Sequence, residues 1–224
     1  MRFTLFFGFA TLLLFSACSN FETIESKDES GKLKERFTIN KQTKKKEGEY
    51  FAFYPNGQKL EESFYINDSL HGERKLYHEN GQLESITTHA NGMFEGKYQK
   101  FNEQGKLTNE GQYVNNEMSG IWKKWFDSGT LAEEVTFAAN LENGPFKEYH
   151  ENGKLKAEGN YFEGDNEQGE LKIYDENGEL FERKYCEYGN CTTSWSKAEG
   201  DLPVDTAQLK RLANLKKRSE QAGE

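Results

Sequence analysis

The chain has 224 residues and carries 29 Lys and Arg against 38 Asp and Glu, a formal net charge of −9. That balance repels a phosphate backbone, whose binding rests on clustered basic side chains, and so argues against a nucleic-acid function. A mean hydropathy of −0.95 would alone suggest disorder, but 17 Phe, 11 Tyr and 3 Trp argue the other way, because each buried ring removes roughly 150–250 Å² from water.

The first residues form an address. Met1-Arg2 places one positive charge before an apolar run from Phe3 to Phe15, and Ser16, Ala17 and Cys18 follow. A basic end, a short apolar run and small exit residues describe a signal peptide over 1–17, too short to span a membrane. Leu14-Phe15-Ser16-Ala17-Cys18 resembles the bacterial lipobox, which implies that Cys18 becomes an acylated N-terminus. The competing reading is an ordinary signal peptide with a chance cysteine. Ser19 follows the cysteine where an Asp would imply retention at the inner membrane. The resemblance therefore implies an outer-membrane lipoprotein in the cell envelope, facing the periplasm or the surface. Polar, acidic residues 18–30 predict a flexible tether.

From residue 31 to 191 the sequence repeats. Gly48, Gly72, Gly96, Gly120 and Gly144 stand 24 apart, and Gly169 follows after 25. A second glycine lies nine residues after each: Gly57, Gly81, Gly105, Gly129, Gly153 and Gly178. A ring stands five after each first glycine: Phe53, Tyr77, Phe101, Trp125, Tyr149 and Tyr174. A leucine stands two after the second glycine in five units, with Leu60 slipped by one in the first. Such a period is the mark of a stacked array. The Asn-Gly pairs suit a tight hairpin turn with both central residues at positive φ, between aromatic strands of about six residues. The prediction is an all-β fold: an elongated single-layer antiparallel sheet of six to seven 24-residue hairpins. Six units give about twelve strands, on the order of 55–60 Å at ~4.8 Å per strand. Gly31 to Phe37 matches the second half of a further, N-terminal unit. Rings at offset two (Tyr50, Tyr98, Trp122, Phe146) and offset five are an odd number apart. Either both faces carry rings or a bulge realigns them.

The unit G-x-[aromatic]-x-x-[aromatic]-x₃-G-x-L-x-x-E-x-x-[aromatic], with Glu62, Glu110, Glu134 and Glu158 in place, resembles the MORN-repeat variant. That family includes proteins labelled YwqK-like antitoxins. Departures occur at Arg74, Pro145 and Arg183. The resemblance implies a single-layer sheet of hairpins and a role in interaction, without naming a ligand.

Cys186 and Cys191 form a C-x₄-C pair around Gly189 and Asn190. Outside the cytoplasm such a pair predicts a small disulfide loop, with two free thiols as the alternative. None of His71, His78, His89 or His150 is near enough in sequence to complete a metal site. Residues 192–224 read as a linker and an amphipathic helix beginning at Asp205, with Leu209, Leu212 and Leu215 on one face. Lys210, Arg211, Lys216, Lys217 and Arg218 make it basic. It either caps the last open sheet edge or touches anionic lipid.

No hydrolase elbow, zincin, phosphate-loop or dinucleotide fingerprint is present, and no acid–base constellation stands apart from the repeat. The expectation is a non-enzyme without a cofactor: a protein-interaction scaffold, with a glycan-binding module, a structural spacer or antitoxin-like sequestering of a protein partner as alternatives. The expected partners are the membrane, through the acyl anchor, and a protein or glycan, but not nucleic acid. Offset-five rings are expected in the core, and Tyr54, Trp122 and Phe126 as exposed binding contacts.

Overall fold

A computed structural model describes residues 20–221. Cys18 and the signal segment 1–17 lie outside the described residues. The N-terminal hairpin comprises β1 (Phe21–Lys27) and β2 (Leu33–Asn40). The first unit follows as β3 (Lys46–Phe53) and β4 (Lys59–Ile66), and the second as β5 (Ser69–Leu70), β6 (Gly72–Tyr77) and β7 (Leu83–Ala90). Next come β8 (Met93–Phe101) with β9 (Leu107–Val114), and β10 (Glu117–Trp125) with β11 (Leu131–Ala138). The last units are β12 (Leu141–Tyr149) with β13 (Leu155–Tyr161), and β14 (Gly169–Tyr174) with β15 (Leu180–Glu187). Then β16 (Asn190–Ser196), β17 (Gly200–Asp201) and one helix, α1 (Thr206–Gln221), close the described chain.

The strands form one open antiparallel sheet of seventeen among the described residues. Each hairpin hydrogen-bonds to the next, so the chain meanders in sequence order from β1 to β17. The sequence predicts twelve strands. The surplus is β1 and β2 before the units, β16 and β17 after them, and the short β5 where the second unit is interrupted. The tether expected over 18–30 is corrected: residues 21–27 are β1, paired from Phe21↔Asn40 to Lys27↔Leu33. Its polar side chains hide it from hydropathy, yet a strand needs only a neighbour's backbone to satisfy its N–H and C=O groups. The array also extends past 191, through β16 and β17.

Two kinds of turn alternate. The periodic Asn-Gly turns are not the turns with two left-handed residues that their dipeptide suggests. In the first, Gly57 N donates to Tyr54 O at 2.8 Å, and Gly57 alone has a positive φ, 88°. One extra residue then bulges from the returning strand: Leu60 lies between the pairs Phe53↔Lys59 and Ala52↔Glu61, as Glu84 does between Tyr77↔Leu83 and Leu76↔Ser85. This explains the slipped leucine, since Lys59 occupies the position that Leu83 fills in the next unit. The two-residue turns lie at the opposite edge. Asn67-Asp68 (φ 51° and 69°), Asn91-Gly92 (52° and 83°) and Asn115-Asn116 (51° and 68°) have both residues left-handed, the twist that a two-residue hairpin needs.

Because the bulge lies on the returning strand, the two ring positions stay on opposite faces. One face, here the ring face, takes the offset-two residues and holds Val135, Phe146, Ala157, Leu171 and Cys186 as a buried cluster. The other, the ladder face, takes the offset-five rings.

Candidate functional site

On the ring face the side chains stack across strands. Phe37 lies 6.0 Å from Tyr50, and Tyr50 lies 5.7 Å from Tyr65. Lys46 Nζ sits over all three rings at 4.5–5.1 Å. Further along, His89, Phe94, Tyr113, Trp122 and Phe137 follow at 4.6, 5.0, 5.1 and 6.1 Å. Phe146 stacks on Tyr161 at 4.1 Å. Arg74 breaks the row, as its departure from the ring pattern implies, and gives Glu61 two hydrogen bonds, 2.8 and 2.9 Å, from Nε and Nη2. Burial would raise the Glu61 carboxyl, but the Arg74 bonds and charge outweigh it and hold the group below its ordinary value. Glu133 goes the other way, raised by burial and by Glu148 directly opposite.

The ladder face is polar. Tyr149 donates to Glu134 at 3.0 Å and Tyr174 to Glu158 at 2.8 Å. Lys123 lies 3.0 Å from Glu134, and Lys172 lies 3.5 Å from Glu158. The repeating glutamates are therefore partnered rungs. Burial, then the bond to Glu158, pushes the Tyr174 phenol up to about 12. The offset-five rings are half-buried members of this ladder, not the closed core expected of them.

None of Tyr54, Trp122 and Phe126 is fully exposed. Tyr54 is half-buried, and its hydroxyl donates to the Tyr77 carbonyl at 2.8 Å, tying one unit to the next. His78 and His150 occupy the same repeat position and contact the carbonyls of Phe101 and Tyr174 at 3.0 and 3.1 Å. Phe126, also at that position, is half-buried. Trp122 is not the exposed platform the sequence suggested. It is wedged among Tyr98, Tyr113 and Phe137, and a Cβ on Gly111 would come within 2.2 Å of its indole. Asn56 and Asn80 are further staples: each accepts from the N–H two residues on and donates to the next unit's turn at 2.9 Å.

Cys186 and Cys191 form a disulfide between the paired strands β15 and β16, with Cys186 fully buried. The helix starts one residue later than expected, at Thr206, because Asp205 caps it by accepting from Gln208 N at 2.9 Å. It does not bury its three leucines as one stripe. Leu209 and Ala213 are buried, while Leu212 and Leu215 are 40% and 52% exposed. Nor does it lie along the last strand: it packs on β15 and β16 at the two-residue-turn edge. There Lys217 lies 4.4 Å over Tyr188 and 5.1 Å over Phe162, and pairs with Glu163 at 3.1 Å. Tyr188 donates to Glu220 at 2.7 Å, and that bond and burial push its phenol up to about 12. Between α1 and the sheet is a cleft of about 430 Å³ lined by Phe162, Gln168, Glu187 and Lys210 among others. No group of three or more potential metal ligands occurs among the described residues.

The sequence pattern of the MORN repeat variant matches residues 46–67, 70–91, 94–115, 118–139, 142–163 and 167–185, more than half of the chain. The chain belongs to the MORN repeat variant family. Four of the six MORN windows close within a two-residue turn and a fifth in the longer loop at Glu163, so each of these spans one hairpin bounded by that edge. No curated protein matches this MORN chain. Among solved structures it is similar to a crystal structure of TcdB2-TccC3-Cdc42, with 12% identity and a TM-score of 0.23, covering 78% of this chain and 11% of that one. It is also similar to the Photorhabdus luminescens Tc holotoxin pore, with 13% identity and a TM-score of 0.22, covering 83% of this chain and 13% of that one. The third is a porin-like protein from Bacteroides uniformis ATCC 8492, with 8% identity and a TM-score of 0.19, covering 77% of this chain and 91% of that one. The chain spans little more than a tenth of the first two.

Proposed function

We propose that this chain is a non-enzymatic lipoprotein of the cell envelope, anchored through Cys18, whose hairpin sheet is a scaffold for another protein. The observation that carries the reading is the open single layer: side chains recur in rows along two faces and two edges, and among the described residues only α1 covers any of them. An extended, repetitive surface of this kind suits a macromolecular partner. The row of rings supports a protein partner over a glycan, because Trp122 has its flanks filled by neighbouring rings. Antitoxin-like sequestering is a special case of the same scaffold. Anchoring would come from acyl chains, since no helix among the described residues is long and apolar enough to cross a membrane.

Two measurements test the proposal. Mass spectrometry of the N-terminal peptide from a membrane fraction is expected to show an acylated Cys18, and an unmodified cysteine sinks the anchor. Affinity capture from a solubilised envelope extract is expected to recover one protein in near-stoichiometric amount. Recovery of polysaccharide alone overturns the scaffold in favour of a glycan-binding module.

A further inference from the structure

The two turn edges differ in chemistry. At the two-residue-turn edge the longer first turn, from Lys41 to Lys45, is basic, and the four two-residue turns after it, with their flanking residues, read Ile66-Asn67-Asp68-Ser69, Ala90-Asn91-Gly92-Met93, Val114-Asn115-Asn116-Glu117 and Ala138-Ala139-Asn140-Leu141. None of these four contains Lys, Arg or His. Glu47 and Glu95 add carboxylates there, accepting from the turn amides of Asn67 and Asn115 at 2.9 and 2.8 Å. Beside these acids stand exposed apolar side chains: Ile66, Met93, Val114 and Leu141 are 38%, 41%, 40% and 52% exposed. Strand alternation puts all four on the ladder face, since each neighbours a ring-face residue such as Tyr65, Tyr113 or Phe137 in the register. They make one stripe, punctuated by Ser69 and Glu117, which pair with Ile66 and Val114.

The same edge continues to Phe162, Glu163 and Tyr188, and there it is occupied. A basic amphipathic helix, α1, covers it with Leu209 and Ala213 buried, Lys217 over two rings and Lys217 paired with Glu163. Spacing also suits a helix. Successive hairpins are two strands apart, about 9.6 Å, and seven residues of α-helix rise about 10.5 Å. A helix laid across the strands therefore presents residues i, i+7 and i+14 to successive hairpins.

We propose that the stripe formed by Ile66, Met93, Val114 and Leu141 is a docking surface for a basic amphipathic helix of a partner protein. The chemistry is that of α1, with apolar side chains on the stripe and lysines over its acidic rim. This rests on the scaffold reading and assigns it a surface and a class of partner.

The test uses the full chain and a fluorescent synthetic peptide copying residues 205–221, followed by anisotropy. Saturable binding is expected, weakened about tenfold or more, roughly 1.4 kcal/mol, by Met93→Asp or by Leu141→Asp. Phe181→Asp, which changes a ring of similar exposure off the stripe, should leave it unchanged. Variants of the peptide that replace its two apolar anchors with Asp should bind about tenfold more weakly, a readout that does not depend on how the chain variants fold. Absence of saturable binding overturns the proposal. So does binding insensitive to Met93 and Leu141, which would mean that the peptide only displaces α1. A chain that captures a stoichiometric protein but ignores the peptide keeps the scaffold and loses the stripe.

Discussion

Gly111 and Gly159 show how one atom shapes the ring face. Both stand fifteen residues after a first glycine and forty-eight apart, and each leaves room for a ring that a Cβ would strike, Trp122 at 2.2 Å and Phe146 at 2.9 Å. Gly111→Ala is expected to destabilise the fold by about 1–3 kcal/mol through overpacking, and Trp122→Ala by about 3 kcal/mol through lost packing, both read by denaturant melting. If Trp122→Ala leaves stability unchanged, the indole is not a packed ring. Arg74 offers a second test. Because the folded Glu61 carboxyl lies below its ordinary value of 4.5, it contributes stability above that pH, and the contribution is lost as pH falls through the folded value. Arg74→Ala is expected to cost about 1–2 kcal/mol at neutral pH by leaving the half-buried Glu61 carboxylate with the Ser63 hydroxyl in place of two guanidinium bonds. The gap from wild type should narrow below pH ~4.5, and a gap constant with pH would rule out the pair as its cause. At this scale the sequence marked the rings and the Arg74 departure, but not which rings are covered. Coverage of Trp122 depends on the neighbouring strand's Gly111, and a reading of single positions does not join them.

The elements were legible by period and misassigned by turn chemistry. The frequent Asn-Gly dipeptide drew attention to the wrong edge, because Asn56 and Asn80 use their amides as staples rather than adopting positive φ. The turns with two left-handed residues vary in sequence, from Asn-Asp to Ala-Asn, so no repeated dipeptide announced them. Ala139, at φ 51°, is the least suited residue among them, since a side chain without a local hydrogen bond gains nothing in that region. Ala139→Asn is expected to stabilise by about 0.5–1 kcal/mol, a rise in melting temperature that Ala138→Asn should not reproduce. In α1 the leucine spacing was visible but not its use: Leu209 and Ala213 face the sheet because Tyr188 and Phe162 lie there, a fact set 20 to 50 residues upstream.

Across the molecule, the sheet was the most legible feature, since a 24-residue period admits few other architectures. The extra strands were hidden because β1 and β16 are too polar to show a hydrophobic alternation, and only backbone pairing recruits them. Every sheet pairing joins successive strands, save that β4 reaches β6 past the short β5, so one unit should be separable from the rest. Excising residues 94–117 would join Met93 to Met118, which occupies the position of Phe94 in its own unit. The shortened chain is expected to keep its β signal per residue and to lose about 9.6 Å of length by small-angle scattering. Collapse of cooperative melting would show that the units are not interchangeable.

The meander also fixes an order of arrival. No strand waits for a partner made much later, so a chain emerging from its N-terminus can add hairpins as they appear, at the speed that local contacts allow. α1 is the exception: its seat at Phe162 and Tyr188 exists only after β13 and β15 have formed. The helix is therefore the latch that closes last, and an array missing its final hairpins would carry a latch with nothing to close upon.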